Sequence, residues 1–149
     1  MKAKLCFVLV LATLGTGCAT QAQKMDEEAD AWTATLPDPN ANYGTYPDNY
    51  QELMKAWFQD NLKDPDSAKY SGYTNPIKEH AIENVNAKKV IYGYSACVYV
   101  NAKNSYGGYT GKKQYWFFFN NGKILRAKDT SSAFGRIVYR GHPINCAPN

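Results

Sequence analysis

The most regular pattern of apolar positions along the chain is that of an amphipathic helix starting near residue 50. Six large apolar side chains recur there at helical spacing: Tyr50, Leu53, Met54, Trp57, Phe58 and Leu62. They form one broad stripe, which predicts that the helix packs against another element. We expect Asp48 to cap this helix, with Gln51 reaching back toward the cap. The helix should end by Lys63, because Pro65 disfavours helical backbone in the residue before it.

The second half of the chain carries strand-forming runs separated by turn signals. Two runs, 90–102 and 113–120, are rich in β-branched and aromatic residues and predict strands, and residues 123–128 predict the strand that returns after a turn. Asn121-Gly122 joins the last two and is a typical two-residue hairpin turn, because both residues tolerate positive φ. Shorter strands are expected near residues 69–73 and 136–140. The pattern therefore predicts an α+β fold, with one amphipathic N-terminal helix packed on a small antiparallel β-sheet of three or four strands.

Two stretches between the helix and the strands have weaker patterns. Asp64-Pro65 repeats a helix start signal, with a cap followed by proline at the first helical position, and predicts a short helical turn. Residues 75–87 show neither helical nor strand periodicity, so we expect a mixed connection there.

Residues 115–119 are all aromatic. Since side chains alternate between the two faces of a strand, both faces of this one must be covered.

The amino terminus has the features of an export signal. Lys2 and Lys4 precede an apolar run at residues 5–14. The run is too short to span a bilayer, where about 20 residues are needed, and it fits the core of a signal peptide. Residues 14–18, Leu-Gly-Thr-Gly-Cys, resemble a bacterial lipobox whose Leu lies one place earlier than usual. The resemblance implies that the signal peptide, residues 1–17, is removed and that Cys18 is acylated with fatty acids such as palmitate.

An acylated Cys18 makes the lipid bilayer the first expected partner. Two or more acyl chains give stable anchoring. The next residue is Ala19 rather than Asp, which is similar to lipoproteins of the outer membrane. We therefore expect a lipid-anchored outer-membrane protein whose domain faces the periplasm. The alternative is a plain secretory signal cleaved near Ala19 or Ala22, which would release a soluble periplasmic or secreted protein.

Composition divides the rest of the chain into a tether and one domain. Residues 18–45 contain two prolines, a short acidic run and few large apolar side chains, which is typical of a flexible acidic tether. At most a helical turn or two is expected there, over residues 26–33. Residues 46–149 then form a single α+β domain.

The positive charge is concentrated in the second half of the chain. Residues 86–149 hold ten Lys and Arg against one Asp, while the net charge of the whole chain is +4. We interpret this charge first as a solvated basic sheet face that is partly balanced by an acidic helix. The alternative is an anionic partner, such as phospholipid headgroups, lipopolysaccharide or an acidic protein. An exported protein that lacks a nucleic-acid-binding motif is not expected to bind nucleic acid.

The cysteines predict one disulfide. Cys6 leaves with the signal and Cys18 is acylated, so Cys97 and Cys146 are the two that remain. In an oxidising compartment such a pair predicts a disulfide. The chain-entropy model assigns roughly 4 kcal/mol to a loop of about 50 residues. The bond would tie the carboxyl end onto the strand at 90–102.

The Gly-rich loop at residues 104–111 is the candidate recognition site. It lacks the spacing of a phosphate-binding P-loop, and its glycines suit a hairpin connection, which is the interpretation that the pattern favours; recognition is the alternative. Exposed aromatic side chains beside polar and basic ones are typical of binding surfaces. The residues that we expect to contact a partner are Lys103, Asn104, Tyr106, Tyr109 and Lys112.

No catalytic constellation, metal site or cofactor motif is assignable from the sequence. His80 and His142 are far apart, and neither has a neighbour at metal-ligand spacing. We therefore expect isolated histidines that are solvated or cap an element. Asp64 and Asp66 are better explained by a capped turn than by paired acid–base chemistry. These observations predict a protein that is not an enzyme and binds no cofactor.

Two motifs carry a resemblance to a protein family. The segment 101–111, Asn-Ala-Lys-Asn-Ser-Tyr-Gly-Gly-Tyr-Thr-Gly, and the Asp-Pro-Asp-Ser-Ala turn at 64–68 resemble a group of small, uncharacterised bacterial exported proteins. The similarity covers roughly residues 50–128. It implies a shared domain and loop, and it carries over no catalytic residue.

The sequence thus favours a membrane-anchored envelope lipoprotein that acts as a non-enzymatic binding module in the periplasm. Its expected partner is an envelope protein or cell-wall material. One alternative is an inhibitor or immunity protein that uses the same loop against an exported hydrolase or toxin. A second alternative is an envelope hydrolase.

Overall fold

A computed structural model describes residues 20–131, 134–139 and 142–147 of the 149-residue chain. The predicted signal peptide and the predicted lipidation site at Cys18 lie outside these residues. The helices are α1 (Gln21–Thr33) and α2 (Tyr50–Asn61). The strands are β1 (Asp64–Ser71), β2 (Ile77–Asn84), β3 (Lys89–Lys103), β4 (Lys113–Asn120), β5 (Lys123–Asp129), β6 (Ile137–Tyr139) and β7 (His142–Pro143). A 3₁₀ turn at Phe134–Arg136 precedes β6.

The α+β class is confirmed, but the predicted inventory of elements is too small. The described residues contain two helices rather than one, and the main sheet has five strands rather than three or four. A separate two-stranded sheet joins β6 to β7. The helix expected to pack on the sheet is α2, and it is not the first helix of the described chain.

The long strand β3 organises the main sheet. Its strand order is β1-β3-β4-β5, and β2 also pairs with β3. Tyr94 and Ser95 pair with both β2 and β4, and Tyr99 and Val100 pair with both β1 and β4. Strands β1 and β2 therefore lie one after the other on the same edge of β3, opposite β4. All of these pairs are antiparallel.

Strand β1 corrects the prediction of a helical turn at Asp64. Asp64 Oδ1 does accept the Ser67 backbone N–H at 3.3 Å, as a helix cap would. The backbone is nevertheless extended, and Asp64 pairs with Lys103 before a bulge that ends at Lys69. Local cap chemistry is thus retained, while pairing with the edge of β3 decides the backbone conformation.

Strand β2 corrects the prediction of a mixed connection at residues 75–87. Four consecutive residues, 79–82, are buried, because both faces of this strand are covered. Burial on both faces removes the alternation of apolar and polar residues by which a strand is recognised in a sequence.

The start of α2 also differs in detail from the prediction. Asn49, not Asp48, is the N-cap residue, and its side chain makes no capping hydrogen bond. The helix ends at Asn61, within the predicted limit. By contrast, the hairpin between β4 and β5 is confirmed: Asn121 has φ 47° and Gly122 has φ 74°.

The main sheet is buried on both faces. On one face α2 covers the sheet, and the fully buried members of this cluster are Met54, Phe58, Ala96, Val98, Val100, Phe117 and Phe119. On the other face the carboxyl-terminal segment covers Ala81, Cys97, Trp116 and Phe118, with Val138 packed among them. The alternation of residues 116–119 between two cores explains why these four aromatic side chains are all buried, whereas Tyr115 is half-buried.

The predicted disulfide is confirmed. Cys97 and Cys146 are bonded, with their Cα atoms 5.6 Å apart. The same segment is held by the Ile144 backbone N–H, which donates to Arg136 O at 2.8 Å. The disulfide thereby fixes the segment containing β7 against the second face of the sheet.

The segment predicted to be a tether has more structure than the sequence indicates. Thr20 and Gln23 form a capping box that starts α1, a helix of 13 residues instead of a turn or two. Beyond it, the Asp38 backbone N–H donates to Tyr92 Oη at 3.0 Å, and the Tyr43 ring packs edge-on against Tyr92. Contacts with the sheet therefore begin before the predicted domain boundary at residue 46.

In the described part of the chain, neither helix is long and apolar enough to cross a membrane.

Candidate functional site

An open cleft of about 760 Å³ lies between the amino-terminal segment and one end of the main sheet. One wall is the end of α1 and the segment that follows it, and includes Thr33, Ala34 and Tyr43. The other wall is formed by β2 and β7. This volume is within the range of natural small-molecule sites.

Three ionisable side chains meet at the β2–β7 wall of the cleft: Glu79, His80 and His142. His142 Nδ1 lies 3.1 Å from His80 Nε2, and His142 Nε2 lies 3.1 Å from Glu79 Oε1. His80 Nδ1 is 3.7 Å from the same carboxylate oxygen. Each side chain thus contacts both of the others.

The cluster is withdrawn from solvent. Glu79 is 7% exposed and His80 is 8% exposed, while His142 is half-buried. A buried carboxylate requires hydrogen-bonding or positively charged partners. Besides the two imidazoles, the His80 backbone N–H donates to Glu79 Oε1 at 2.8 Å. Among the described residues, no Lys or Arg forms an ion pair with this carboxylate.

The environment shifts the protonation of His80. Burial lowers the pKa of His80, the neighbouring His142 imidazole acts in the same direction, and the Glu79 carboxylate opposes both. The neutral form of His80 is therefore favoured over a wider range of pH than for a solvated histidine. A neutral imidazole keeps a lone pair that can accept a proton or bind a metal.

The arrangement is able to perform two kinds of chemistry. One carboxylate and two imidazoles are ligands that zinc and similar ions prefer. A carboxylate bonded to an imidazole also orients a general base. Within the part of the chain that the structure describes, neither histidine hydrogen-bonds to a side-chain hydroxyl or a thiol.

The prediction that His80 and His142 are isolated is wrong. Sixty-two residues separate them along the chain, and β2 and β7 bring them together. Spacing along the sequence carries no signal of this contact. The predicted disulfide gives partial information about this contact, since it places the residues just before Cys146 near the sheet.

The predicted recognition loop lies elsewhere. It follows the end of β3 at Lys103, whereas His80 pairs with Tyr92 near the start of β3. Eleven residues of strand correspond to roughly 35 Å. The loop and the cleft are therefore two separate surfaces at opposite ends of the same strand.

Within the loop, Asn104 organises the backbone. Its Oδ1 accepts the backbone N–H of Tyr106 at 2.9 Å and that of Gly108 at 3.1 Å. Its own N–H donates to Gly108 O at 2.8 Å. Gly107 and Gly111 adopt positive φ, as a turn of this kind requires. Asn104 thus shapes the loop through its side-chain oxygen.

The remaining predicted contact residues have different surroundings. Tyr106 is 96% exposed. Tyr109 is 44% exposed, and its ring lies under two ammonium groups, Lys69 Nζ at 4.8 Å and Lys103 Nζ at 5.7 Å from the centroid. Lys112 is exposed. A role of these residues in recognition stays a prediction, and Tyr106 is the side chain most available for it.

Comparison of the chain with protein-family models, with curated proteins and with solved structures gives no match.

Proposed function

We propose that this protein is a small-ligand-binding module of the bacterial cell envelope, and that the cleft between α1 and β2 is its binding site. The observation that carries the proposal is the buried Glu79–His80–His142 cluster at the wall of a cleft of about 760 Å³. Convergent polar groups in a concave site, with a shifted pKa at His80, are typical of ligand-binding and active sites.

The envelope location rests on the export signal and on the lipobox-like residues before Cys18. The disulfide between Cys97 and Cys146 supports an oxidising compartment. With Cys18 acylated, α1 begins only three residues later, at Gln21. The cleft would then lie close to the membrane surface, with the bilayer as the anchoring partner.

We propose binding rather than turnover. The cluster offers a carboxylate and two imidazoles, which recognise cations and hydrogen-bond donors. It pairs no nucleophile with either histidine among the described residues. An envelope hydrolase therefore remains the weaker interpretation.

The test is a ligand titration by two-dimensional NMR on the intact, oxidised protein. The probes are amino acids, peptidoglycan-derived peptides and phosphorylated lipid headgroups, each titrated separately. We expect one class to shift the amide resonances of Tyr43, His80 and His142 together. Shifts confined to residues 103–112, or no saturable shifts with any class, would contradict the proposal.

Two tryptophan variants provide the matched pair for this titration. Ala34 is an exposed residue in the cleft wall, and Ala34→Trp should fill the cleft and weaken ligand binding at least tenfold. Ala56 is exposed on α2, away from the cleft, so Ala56→Trp should bind as the original protein does. Equal binding by both variants would exclude the cleft as the site.

A second function, recognition of a partner protein by the Gly-rich loop, is favoured by Tyr106. A tyrosine that is 96% exposed on a loop held by Asn104 is preorganised for contact, and aromatic side chains are enriched at interface hot spots. This is the site that an inhibitor or immunity protein would use. An envelope protein or cell-wall component would be the partner.

Site-specific photocrosslinking in intact cells tests the second function. A photoreactive amino acid at position 106 should yield one defined crosslinked product. The same amino acid at position 123, which is exposed on the β4–β5 hairpin, should not yield it. Identical products from both positions, or none from position 106, would exclude the loop as a recognition site.

A further inference from the structure

We propose that Glu79, His80 and His142 bind a zinc-like divalent metal ion, so that the metal becomes part of the binding surface of the cleft. This inference rests on the proposed function, since it names the chemistry by which the cleft would recognise its ligand. One ligand atom from each of the three side chains lies within 4.8 Å of the other two.

The spacing of the donor atoms is close to that of a metal site. In tetrahedral zinc sites the metal–nitrogen distance is about 2.0–2.1 Å, which places ligand atoms roughly 3.4 Å apart. With one ligand atom from each side chain, the three atoms lie within 4.8 Å of one another. The two shortest contacts, each 3.1 Å, use different nitrogens of the His142 ring, Nδ1 toward His80 Nε2 and Nε2 toward Glu79 Oε1. Small rotations of the half-buried His142 ring would aim one of its nitrogens at a shared ion.

Charge favours a cation at this position. Glu79 brings a buried negative charge, and the described residues supply no Lys or Arg to pair with it. The nearby Lys78 ammonium lies 5.0 Å from the centre of the Tyr43 ring instead. A divalent ion between the carboxylate and the two imidazoles would supply the positive charge.

The donor set selects the class of metal. Imidazole nitrogen suits zinc, copper and nickel, whereas magnesium and calcium require sites built from oxygen atoms. Three protein ligands leave a fourth position for water or for a bound ligand, as in open zinc sites. Here that position would face the cleft, where a carboxylate or another anionic group of the ligand would reach it.

The scaffold holds the three donors with different rigidity. Glu79 and His80 belong to β2, which is paired with β3 along its length. The His80 backbone N–H donates to Glu79 Oε1 and so fixes the carboxylate on the strand. His142 belongs to β7, and the disulfide at Cys146 secures it four residues further on. The site is thus complete only when the carboxyl-terminal segment is docked.

The small number of histidines simplifies the test of zinc binding. The chain has only two histidines, so a metal bound by two imidazoles of one chain must use His80 and His142. The experiment is a titration of the intact, oxidised protein, carrying no polyhistidine tag, with zinc chloride by isothermal titration calorimetry. X-ray absorption at the zinc edge is then measured on the loaded protein.

We expect one zinc ion per chain, with two imidazole nitrogens and oxygen in its coordination shell. His142→Gln and Glu79→Gln should each weaken zinc binding at least tenfold. Glu83→Gln, on the same strand but facing solvent and paired with Lys89, should have no effect. Magnesium chloride should not compete with zinc.

A shell without imidazole, or equal zinc affinity in the His142→Gln and Glu83→Gln variants, would overturn the inference. Near-UV circular dichroism verifies that each variant is folded. If His142→Gln does not fold, the comparison with Glu83→Gln is made with Glu79→Gln instead. The Ala34→Trp variant separates this inference from the proposed function. It fills the cleft and should weaken ligand binding, but it keeps all three metal-binding side chains and should still bind zinc. Ligand binding that persists without zinc binding would refute only the metal site. Zinc binding without any cleft ligand would refute only the proposed function.

Discussion

His142 Nδ1 lies 3.1 Å from His80 Nε2, and this contact joins the last strand of the described chain to the edge of the main sheet. A covalent constraint lies close to this contact, because Cys146, four residues after His142, is bonded to Cys97 at the centre of β3. We therefore expect reduction of the disulfide both to lower the stability of the fold and to change the position of His142 relative to His80.

Loss of the disulfide should separate His142 from His80. We expect Cys146→Ser to lower the free energy of unfolding by about 2–4 kcal/mol, since the loop is no longer closed in the unfolded chain. The same variant should bind zinc at least tenfold more weakly. Urea unfolding and calorimetry measure the two effects. Zinc affinity that is unchanged in this variant would show that the disulfide does not position His142.

Gly93 should be irreplaceable in the sheet beside the cluster. It pairs with Glu79, and a Cβ atom built on it would lie 2.1 Å from Phe119 O. Gly93→Ala must therefore move backbone, and we expect a loss of about 1–3 kcal/mol or more in the free energy of unfolding. Gly108→Ala is the control, because its nearest contact would be 3.8 Å away. Equal stability of the two variants would contradict the close approach of β3 and β4.

Ionisation of Tyr73 should destabilise the protein at alkaline pH. Burial raises the pKa of Tyr73 from 10.0 to about 12, and among the described residues its buried hydroxyl has no hydrogen-bond partner. A folded-state pKa above the unfolded one gives stability that is complete below pH 10 and is lost as the pH rises toward 12. Tyr73→Phe should reduce this loss. Chemical unfolding at several pH values measures it, and an identical decline in both proteins would contradict the assignment.

Asn104 and Tyr106 should respond differently to truncation. Asn104→Ala leaves the Tyr106 and Gly108 amides without their acceptor, so we expect about 1–2 kcal/mol of destabilisation. The Gly108 amide should also exchange its hydrogen faster. Tyr106→Ala should change the free energy of unfolding by less than about 0.5 kcal/mol, as for an exposed site. If Tyr106→Ala destabilises the protein as much, the loop is held by contacts of the tyrosine ring.

The elements that the sequence predicts well are those whose pattern is local. The strands β3 and β4 are rich in β-branched and aromatic residues. The Asn121-Gly122 turn identifies β5 as the strand that returns beside β4. Strand β2 is not recognisable in the same way, because both of its faces are buried. Strand β1 begins with Asp64-Pro65, which favours another conformation locally, and it is extended because it pairs with β3.

The two candidate surfaces also differ in whether a local sequence pattern predicts them. The Gly-rich loop is contiguous in the sequence, so its turn chemistry and exposed Tyr106 are predictable from local residues. The cleft joins β2 to β7 and to the segment after α1, and no local pattern links Glu79 and His142. Only the prediction that Cys97 bonds to Cys146 indicated that the carboxyl-terminal segment lies on the sheet.

Glu79, His80 and His142 form one cluster at the wall of the cleft, and we propose that this cluster binds a metal ion. The most direct measurement is anomalous diffraction at the zinc edge from crystals of the oxidised protein grown with zinc. We predict one strong peak in the cleft, about 2.0–2.2 Å from a carboxylate oxygen of Glu79 and from one nitrogen of each histidine. A peak at another place, or electron density in which His80 and His142 lie apart, would show that these three residues do not form a metal site.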